Sequence, residues 1–444
     1  MHATLELVFA RLANALADLV APNAHFTLNL WGEQTQFVRF NHAKVRQTGV
    51  VRDAHLTLTL MQDDRTSNRE ISCTGDWDID WPALQTALAE LTQELPQLPV
   101  DPHLVVPSGE SHSRDVHLGD LLEPTAVADH VLKPVADLDF AGIYAAGDLV
   151  RAYADSAGQR HWFATQSFDL DYSLFTADGQ AVKATLAGSH WDDRAYSHQL
   201  DTCRSQLERL SQPQKTIPRG QYRTYLAPAA VADLVNMLSW GGISEASLQQ
   251  GGSCLNLLQR QERLLSPNFT LRENFRPGLV PRFNGWGDIA PLELPLITAG
   301  QLTNTLVSRR SAKEYGKIAN GASQDEELRS PELMPGTLAP SQILATLDTG
   351  LYVSNLHYLN WSDRPTGRVT GMTRYACFWV ENGELVAPIE NLRFDETLYN
   401  YFGDTLVDLT TTVEFVPVIS TYDYRSIGGS WVPGILVDDF TYTL

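Results

Sequence analysis

Cysteine is scarce in this 444-residue chain: Cys73, Cys203, Cys254 and Cys377 are the whole complement, far apart and with no CxxC pair. That excludes a disulfide framework and a zinc knuckle and agrees with a reducing compartment. Long apolar runs are missing too, so nothing has the length to span a bilayer. The opening Met1–Glu6 lacks the basic and apolar signature of a secretory signal, and a cytoplasmic location is expected. Basic residues are in deficit, 33 Lys and Arg against 53 Asp and Glu, for a net charge of −20. Such a surface repels phosphate backbones and suits anionic membranes poorly, so neither nucleic acid nor membrane is expected as a partner.

The familiar catalytic motifs are absent as well. None of the twelve histidines precedes Glu, which removes HExxH and its relatives. GxSxG and SxxK do not occur. The pairs His112/His117 and His190/His198 lack the i, i+4 spacing that would put two ligands on one helix face, and they read as surface or turn residues. Cys377 sits inside the apolar run Tyr375–Trp379 and reads as a core thiol. The glycines of Gly285–Ala290 are bracketed by Pro281 and Pro291, so no nucleotide-binding helix can follow them.

What is present is core material. Apolar residues make up 43%, with 10 Trp, 15 Tyr and 16 Phe, enough for two or three domains. Leu5, Val8, Phe9, Leu12, Leu16 and Leu19 recur at helical spacing. Residues 27–31 and 34–41 read as strands joined by a turn at Gly32-Glu33, and His55–Leu60 alternates as a strand. Asp80 reads as the cap of a helix carrying Leu84, Leu88 and Leu91. Residues 96–118 look like a long surface connection, and 139–188 a β-meander with turns at Asp155–Gly158 and Asp178-Gly179. A helix over 194–210 precedes the linker Gln212–Gly220. The expected class is α+β: an N-terminal α/β domain over 1–215, then a β-rich, mainly antiparallel domain over 216–444. In the second domain, Pro228 opens a short helix, and 351–356, 373–380, 385–388, 413–419 and 436–443 have strand character.

Two polar stretches draw attention. In 354–374, between two strand-like runs, Asn355, His357, Asn360, Asp363, Arg364, Arg368 and Arg374 concentrate hydrogen-bonding groups, as a peptide-binding loop or a structural network would. His357 with Asp363 and Glu381 is the best imidazole–carboxylate group for a hydrolase with unrecognised ligands. In 308–316 the basic residues suit internal salt bridges or a peptide carboxylate.

At these residues a family resemblance emerges. Leu347–Leu356, Thr366–Arg374 and Phe378–Pro388 resemble the C-terminal part of the TldD/PmbA family. Phe37–Gln47, Asp155–His161 and Tyr225–Val231 are similar to earlier parts of it, so the likeness runs in order along most of the chain. Members, also described as modulators of DNA gyrase, form a peptidase system. The resemblance implies dimers enclosing a chamber that admits unfolded peptide, with zinc held in a TldD-type subunit by an HExxxH helix and a cysteine near the C-terminus. This chain departs at both places: Ala229–Leu238 has no histidine and Tyr422–Pro433 no cysteine. It therefore resembles the TldE/PmbA side. The implied function is a non-catalytic subunit without a cofactor of its own, paired with an HExxxH-bearing chain or with itself, with zinc expected only in the TldD-type partner. A metal-dependent peptidase in its own right and a homodimeric peptide-binding protein are the alternatives.

Overall fold

The computed structural model describes residues 2–421 and 424–444. Alternation and helical periodicity organise the first half around one sheet. Its strands are β1 (His25–Asn41), β2 (Lys44–Gln62), β3 (Arg65–Ser72), β4 (His112–His117), β5 (Asp139–Asp155), β6 (Arg160–Phe175) and β7 (Ala181–Gly188). They lie in the order β3-β2-β1-β5-β6-β4, with β7 also paired to β6. All pairs are antiparallel except β4 with β6. Helices α1 (His2–Leu19), α2 (Trp77–Glu94), α3 (Val127–Leu132) and α4 (Asp193–Leu210) accompany this sheet.

The even-numbered residues of β1, β5 and β6 point under the helices. Phe26, Leu28, Leu30, Val150, Ala152 and Trp162 pack with Leu12 and Leu16 of α1 and Leu84 and Leu91 of α2. Farther along the same strands, Val38, Phe40, Phe140, Leu170 and Tyr172 pack with Val127 and Val131 of α3 and Tyr196 and Leu200 of α4. Each such side chain contributes roughly 1.5–3 kcal/mol on burial.

After the linker come β8 (Gly220–Leu226) and helix α5 (Pro228–Asn236), then two further sheets. Their strands are β9 (Leu271–Asn274), β10 (Glu293–Thr298), β11 (Gln301–Leu302), β12 (Pro331–Leu333), β13 (Gly350–Val353), β14 (Asn355–Asp363), β15 (Arg368–Arg374), β16 (Phe378–Glu381), β17 (Glu384–Pro388), β18 (Arg393–Thr397), β19 (Leu406–Leu409), β20 (Glu414–Pro417), β21 (Gly429–Val432) and β22 (Ile435–Tyr442). One sheet runs β11-β10-β9-β12-β21-β20; the other runs β14-β15-β18-β22-β8-β13-β16-β17, with β19 on β22. The fold is α+β with mainly antiparallel sheets. No helix among the described residues is long and apolar enough to cross a membrane.

Several local expectations need correction. Gly32-Glu33 is not a turn, because β1 runs through it, with Gly32 opposite Ala54 on one side and Val150 on the other. A Cβ on Gly32 would meet Ala54 Cβ at 3.3 Å and Leu5 Cδ1 at 3.4 Å, so glycine lets α1 lie close on the sheet. The turn falls at His42-Ala43, where φ values of 49° and 50° give the left-handed pair that a two-residue hairpin needs. The 96–118 connection ends in a strand, β4, paired parallel to β6. Residues 373–380 are not one strand, because 375–377 break it between β15 and β16, and Tyr375 takes a positive φ of 64°. Residues 354–374 form a β-hairpin rather than a loop; at the sheet edge a strand keeps polar side chains in water while its backbone pairs on one side.

Asp80 is not a cap either. Asp76 caps α2, its side chain accepting from the Asp78 N–H, while Asp80 is fully buried in the first turn. Its carboxylate accepts from Thr74 N–H at 2.8 Å, Thr74 Oγ1 at 2.8 Å, Gly75 N–H at 2.9 Å and Cys73 Sγ at 3.5 Å. Burial, with this carboxylate adding to it, pushes the Cys73 thiol up to about 12. Asp80→Ala strands two backbone N–H donors and is expected to cost about 3 kcal/mol, with Asp80→Asn costing less because one acceptor oxygen remains. Thermal melting checks this; an alanine variant melting like the parent would contradict it.

Candidate functional site

The odd-numbered residues of the long strands face away from these helices, and they mix polar with aromatic side chains. β1 presents Trp31, Glu33, Thr35, Phe37 and Arg39; β6 presents Ser167, Asp169, Asp171, Ser173 and Phe175. Ser420, Thr421, Tyr424 and Arg425 of the C-terminal half stand over this face. Between them lies a cleft of about 930 Å³. Thr35, Ser173 and Asp171 line it with polar groups, and Phe37, Ile143 and Phe175 with apolar ones.

Arg425 anchors the C-terminal segment to the sheet. It is 4% exposed; its Nε donates to Asp169 Oδ1 at 2.9 Å, its Nη2 to Ser167 Oγ at 2.9 Å and its backbone N–H to Glu33 Oε1 at 3.3 Å. Desolvation outweighs the pull of this guanidinium and raises the Asp169 carboxyl above its usual range. Glu33 also accepts from Thr35 Oγ1 at 2.6 Å. Tyr424 packs on Trp31 at 4.6 Å between ring centroids, with Arg151 on the Trp31 ring at 5.3 Å. Lys183 pairs with Asp171, which also accepts from Thr185 Oγ1 at 2.8 Å.

The seven residues singled out in the sequence lie elsewhere, along the edge hairpin β14–β15, and none lines this cleft. Asn355 stands opposite Arg374 at the hairpin base, and Arg374 lies 4.9 Å from the Tyr375 ring. His357, opposite Met372, stacks on Tyr358 at 4.0 Å; desolvation and then Arg374 lower its pKa. Asn360 Oδ1 accepts from the Trp361 N–H at 2.8 Å. At the far end Asp363 accepts from Thr366 Oγ1 at 2.7 Å, Arg364 donates to the Trp240 carbonyl at 3.3 Å, and Arg368 pairs with Asp395 at 3.0 Å. His357 and Asp363 are six residues apart on one strand, about 20 Å. Glu381, on β16, is six strands across the sheet from β14, on the order of 29 Å, so these three groups do not converge. In the 308–316 stretch the basic residues make internal links: Arg309 with Asp288, Arg310 with Asp101, and Lys313 Nζ with the Leu104 carbonyl at 2.7 Å.

Helix α5 starts with Pro228, whose fixed φ and missing N–H suit the first turn, and buries Ala230, Val231, Ala232, Leu234 and Val235. Asp233 is its one titratable residue. It is exposed at the helix surface, and desolvation by the protein packed around the helix pushes its carboxyl up to about 7. The same cause raises Glu414 on β20, a strand packed against α5. Among the described residues no three His, Cys, Asp or Glu side chains come together as a metal site would require. In the Tyr422–Pro433 segment, Tyr422 and Asp423 lie outside the described residues. The cleft escaped sequence inspection because a turn placed at Gly32-Glu33 cuts β1 in two; the signal available was the Asp169–Leu170–Asp171–Tyr172–Ser173 alternation.

Residues 219–444, just over half of the chain, match the family model described as the PmbA/TldA metallopeptidase C-terminal domain. No curated protein matches the chain. Three solved structures share its fold almost end to end. TldE from Thermococcus kodakarensis aligns with a TM-score of 0.80 at 11% identity, over 98% of this chain and 100% of that one. A proposed modulator of a DNA gyrase from Thermotoga maritima aligns at 0.76 and 15% identity, over 99% and 100%. A similar proposed modulator from Bacteroides thetaiotaomicron aligns at 0.77 and 15%, over 98% and 98%.

Asp233 yields a pH prediction. Its folded pKa, about 7, lies above the ordinary 3.8, so the folded state holds the proton more tightly. Stability is therefore lost as pH rises from about 4 to about 7 and is flat beyond. The melting temperature of Asp233→Asn minus that of the parent should grow across this window, whereas a constant difference would contradict the assignment.

Proposed function

Because this chain belongs to the TldD/PmbA metallopeptidase family, we propose that it is a TldE-like, non-catalytic subunit that holds unfolded peptide for an HExxxH-bearing partner. The observation that carries this reading is the contrast between its two relevant places. Where the family resemblance puts the zinc helix, α5 offers one carboxylate on an otherwise apolar stripe. Where the sheet faces the C-terminal segment, it offers a cleft of about 930 Å³ with mixed polar and apolar walls.

The residues present do not fit the family's zinc. A catalytic zinc takes three protein ligands and keeps a position for water, and Asp233 alone cannot supply them. No hydrolytic step is therefore derived for this chain. Its own residues bind and orient: Thr35 and Ser173 can exchange hydrogen bonds with an extended main chain, and Phe37, Ile143 and Phe175 can take apolar side chains. A folded domain exceeds this volume, whereas a short extended segment does not, which is the reason for naming unfolded peptide. Dimeric assembly and a shared chamber follow from the same family reading.

Co-expression with an HExxxH-bearing family chain is expected to give a complex that cleaves unfolded peptides, while this chain alone binds them without cleavage. Metal-dependent hydrolysis by this chain alone would overturn the reading in favour of an independent peptidase. A stable homodimer that binds peptide and takes up no HExxxH chain would overturn it in favour of a lone binding protein.

A further inference from the structure

We propose that the cleft over the outer face of the first sheet recognises carboxylate groups on the peptides it holds; this rests on the peptide-binding reading and names the substrate class. The chain carries a net charge of −20, yet among the described residues four cations, Arg39, Arg46, Lys183 and Arg425, line this cleft against two carboxylates, Glu33 and Asp171. Two of the four are already committed. Lys183 pairs with Asp171, and Arg425 pairs with the buried Asp169.

Arg39 and Arg46 are not committed. Both are exposed, and neither has an ion pair or hydrogen bond among the described residues. A register shift brings them to the same cleft. Arg39 pairs with Gln47 but Phe40 pairs with Val45, so Arg46 is the extra residue of a β-bulge. In unbroken register Arg46 would stand opposite Phe40, on the helix-covered face; bulges re-aim side chains in this way. On the C-terminal side, Arg425 is 4% exposed and its buried Nη1 has no hydrogen-bond partner among the described residues. Arg425 adds its positive charge to the wall of the cleft, and the exposed guanidinium groups of Arg39 and Arg46 are the donors a carboxylate can reach.

The chemistry favours carboxylate on a mainly neutral chain over a polyanion. Glu33 and Asp171 share the cleft, and the overall field opposes dense negative charge. The apolar Phe37, Ile143 and Phe175 would contact the rest of the peptide. A terminal α-carboxylate and an Asp or Glu side chain present the same group, so either source is compatible.

The test is fluorescence anisotropy of the full chain with four N-terminally labelled short peptides of one neutral core sequence. One ends in a carboxamide, one in a free carboxylate, and two further carboxamides contain internal Glu or internal Lys. The free acid, the Glu peptide or both should bind about fivefold or more tighter than the neutral carboxamide, and salt should shrink the gap. A preference for the free acid alone supports terminal recognition, and a preference for the Glu peptide supports side-chain recognition. The double variant Arg39→Ser, Arg46→Ser should abolish the preference while still binding the neutral peptide; both residues are exposed and make no ion pair or hydrogen bond among the described residues, so folding is not at stake. Equal binding of all four peptides, tighter binding of the Lys peptide, or a preference surviving in the double variant overturns the inference alone. Binding of no peptide overturns it together with the proposed function.

Discussion

The length of the central strands constrains everything else in the N-terminal half. β1 has 17 residues and so extends about 56 Å, whereas α1 and α2, at 18 residues each, reach about 27 Å. One pair of helices cannot cover such a sheet, and two sets share its inner face end to end. The outer face is met instead by the C-terminal half, where Phe283 packs on Tyr153, Phe163 and His161. Where it borders the cleft its residues mix polar and apolar side chains, and there it is met by the C-terminal half through Arg425 and Asp169. Around that buried pair, Ser167 accepts from the Arg425 guanidinium and Glu33 from its backbone N–H, which offsets part of the desolvation. The cleft is a consequence of this arrangement: a sheet too long to be roofed by helices, with a distant stretch of chain fastened partway across its open side.

Much of the fold was legible because local signals agreed. The leucine spacing of α1, the turns at Asp155–Gly158 and Asp178-Gly179, the α4 stripe of Leu200, Cys203 and Leu210, and Pro228 at the head of α5 each combine pattern with a matching boundary residue. Failures arose where one residue type serves two purposes. Gly32 looked like a turn glycine and is a packing glycine beneath Leu5. Asp80 looked like a cap and is a buried acceptor for the preceding turn. β4 was hidden because its parallel pairing with β6 crosses more than 40 residues, and no local periodicity records that.

The candidate site was less legible than the fold, for a related reason. The residues of 354–374 are contiguous and polar, and they attract notice, yet the structure spreads them along an edge hairpin whose partners are mostly one another and nearby carbonyls. The cleft draws residues from β1, β2, β5, β6 and β7 and adds Ser420, Thr421, Tyr424 and Arg425, so its lining is scattered along the chain. A net charge of −20 also conceals a locally basic wall, since a sum over the chain says nothing about where the unpaired arginines stand.

If this chain contributes binding and leaves metal chemistry to another, as proposed, the purified full chain, prepared without chelator, should hold zinc, iron, manganese and nickel each well below one atom per chain by elemental analysis. Zinc near one atom per chain, retained on dialysis, would mean that ligands do assemble here, and the non-catalytic assignment would be wrong.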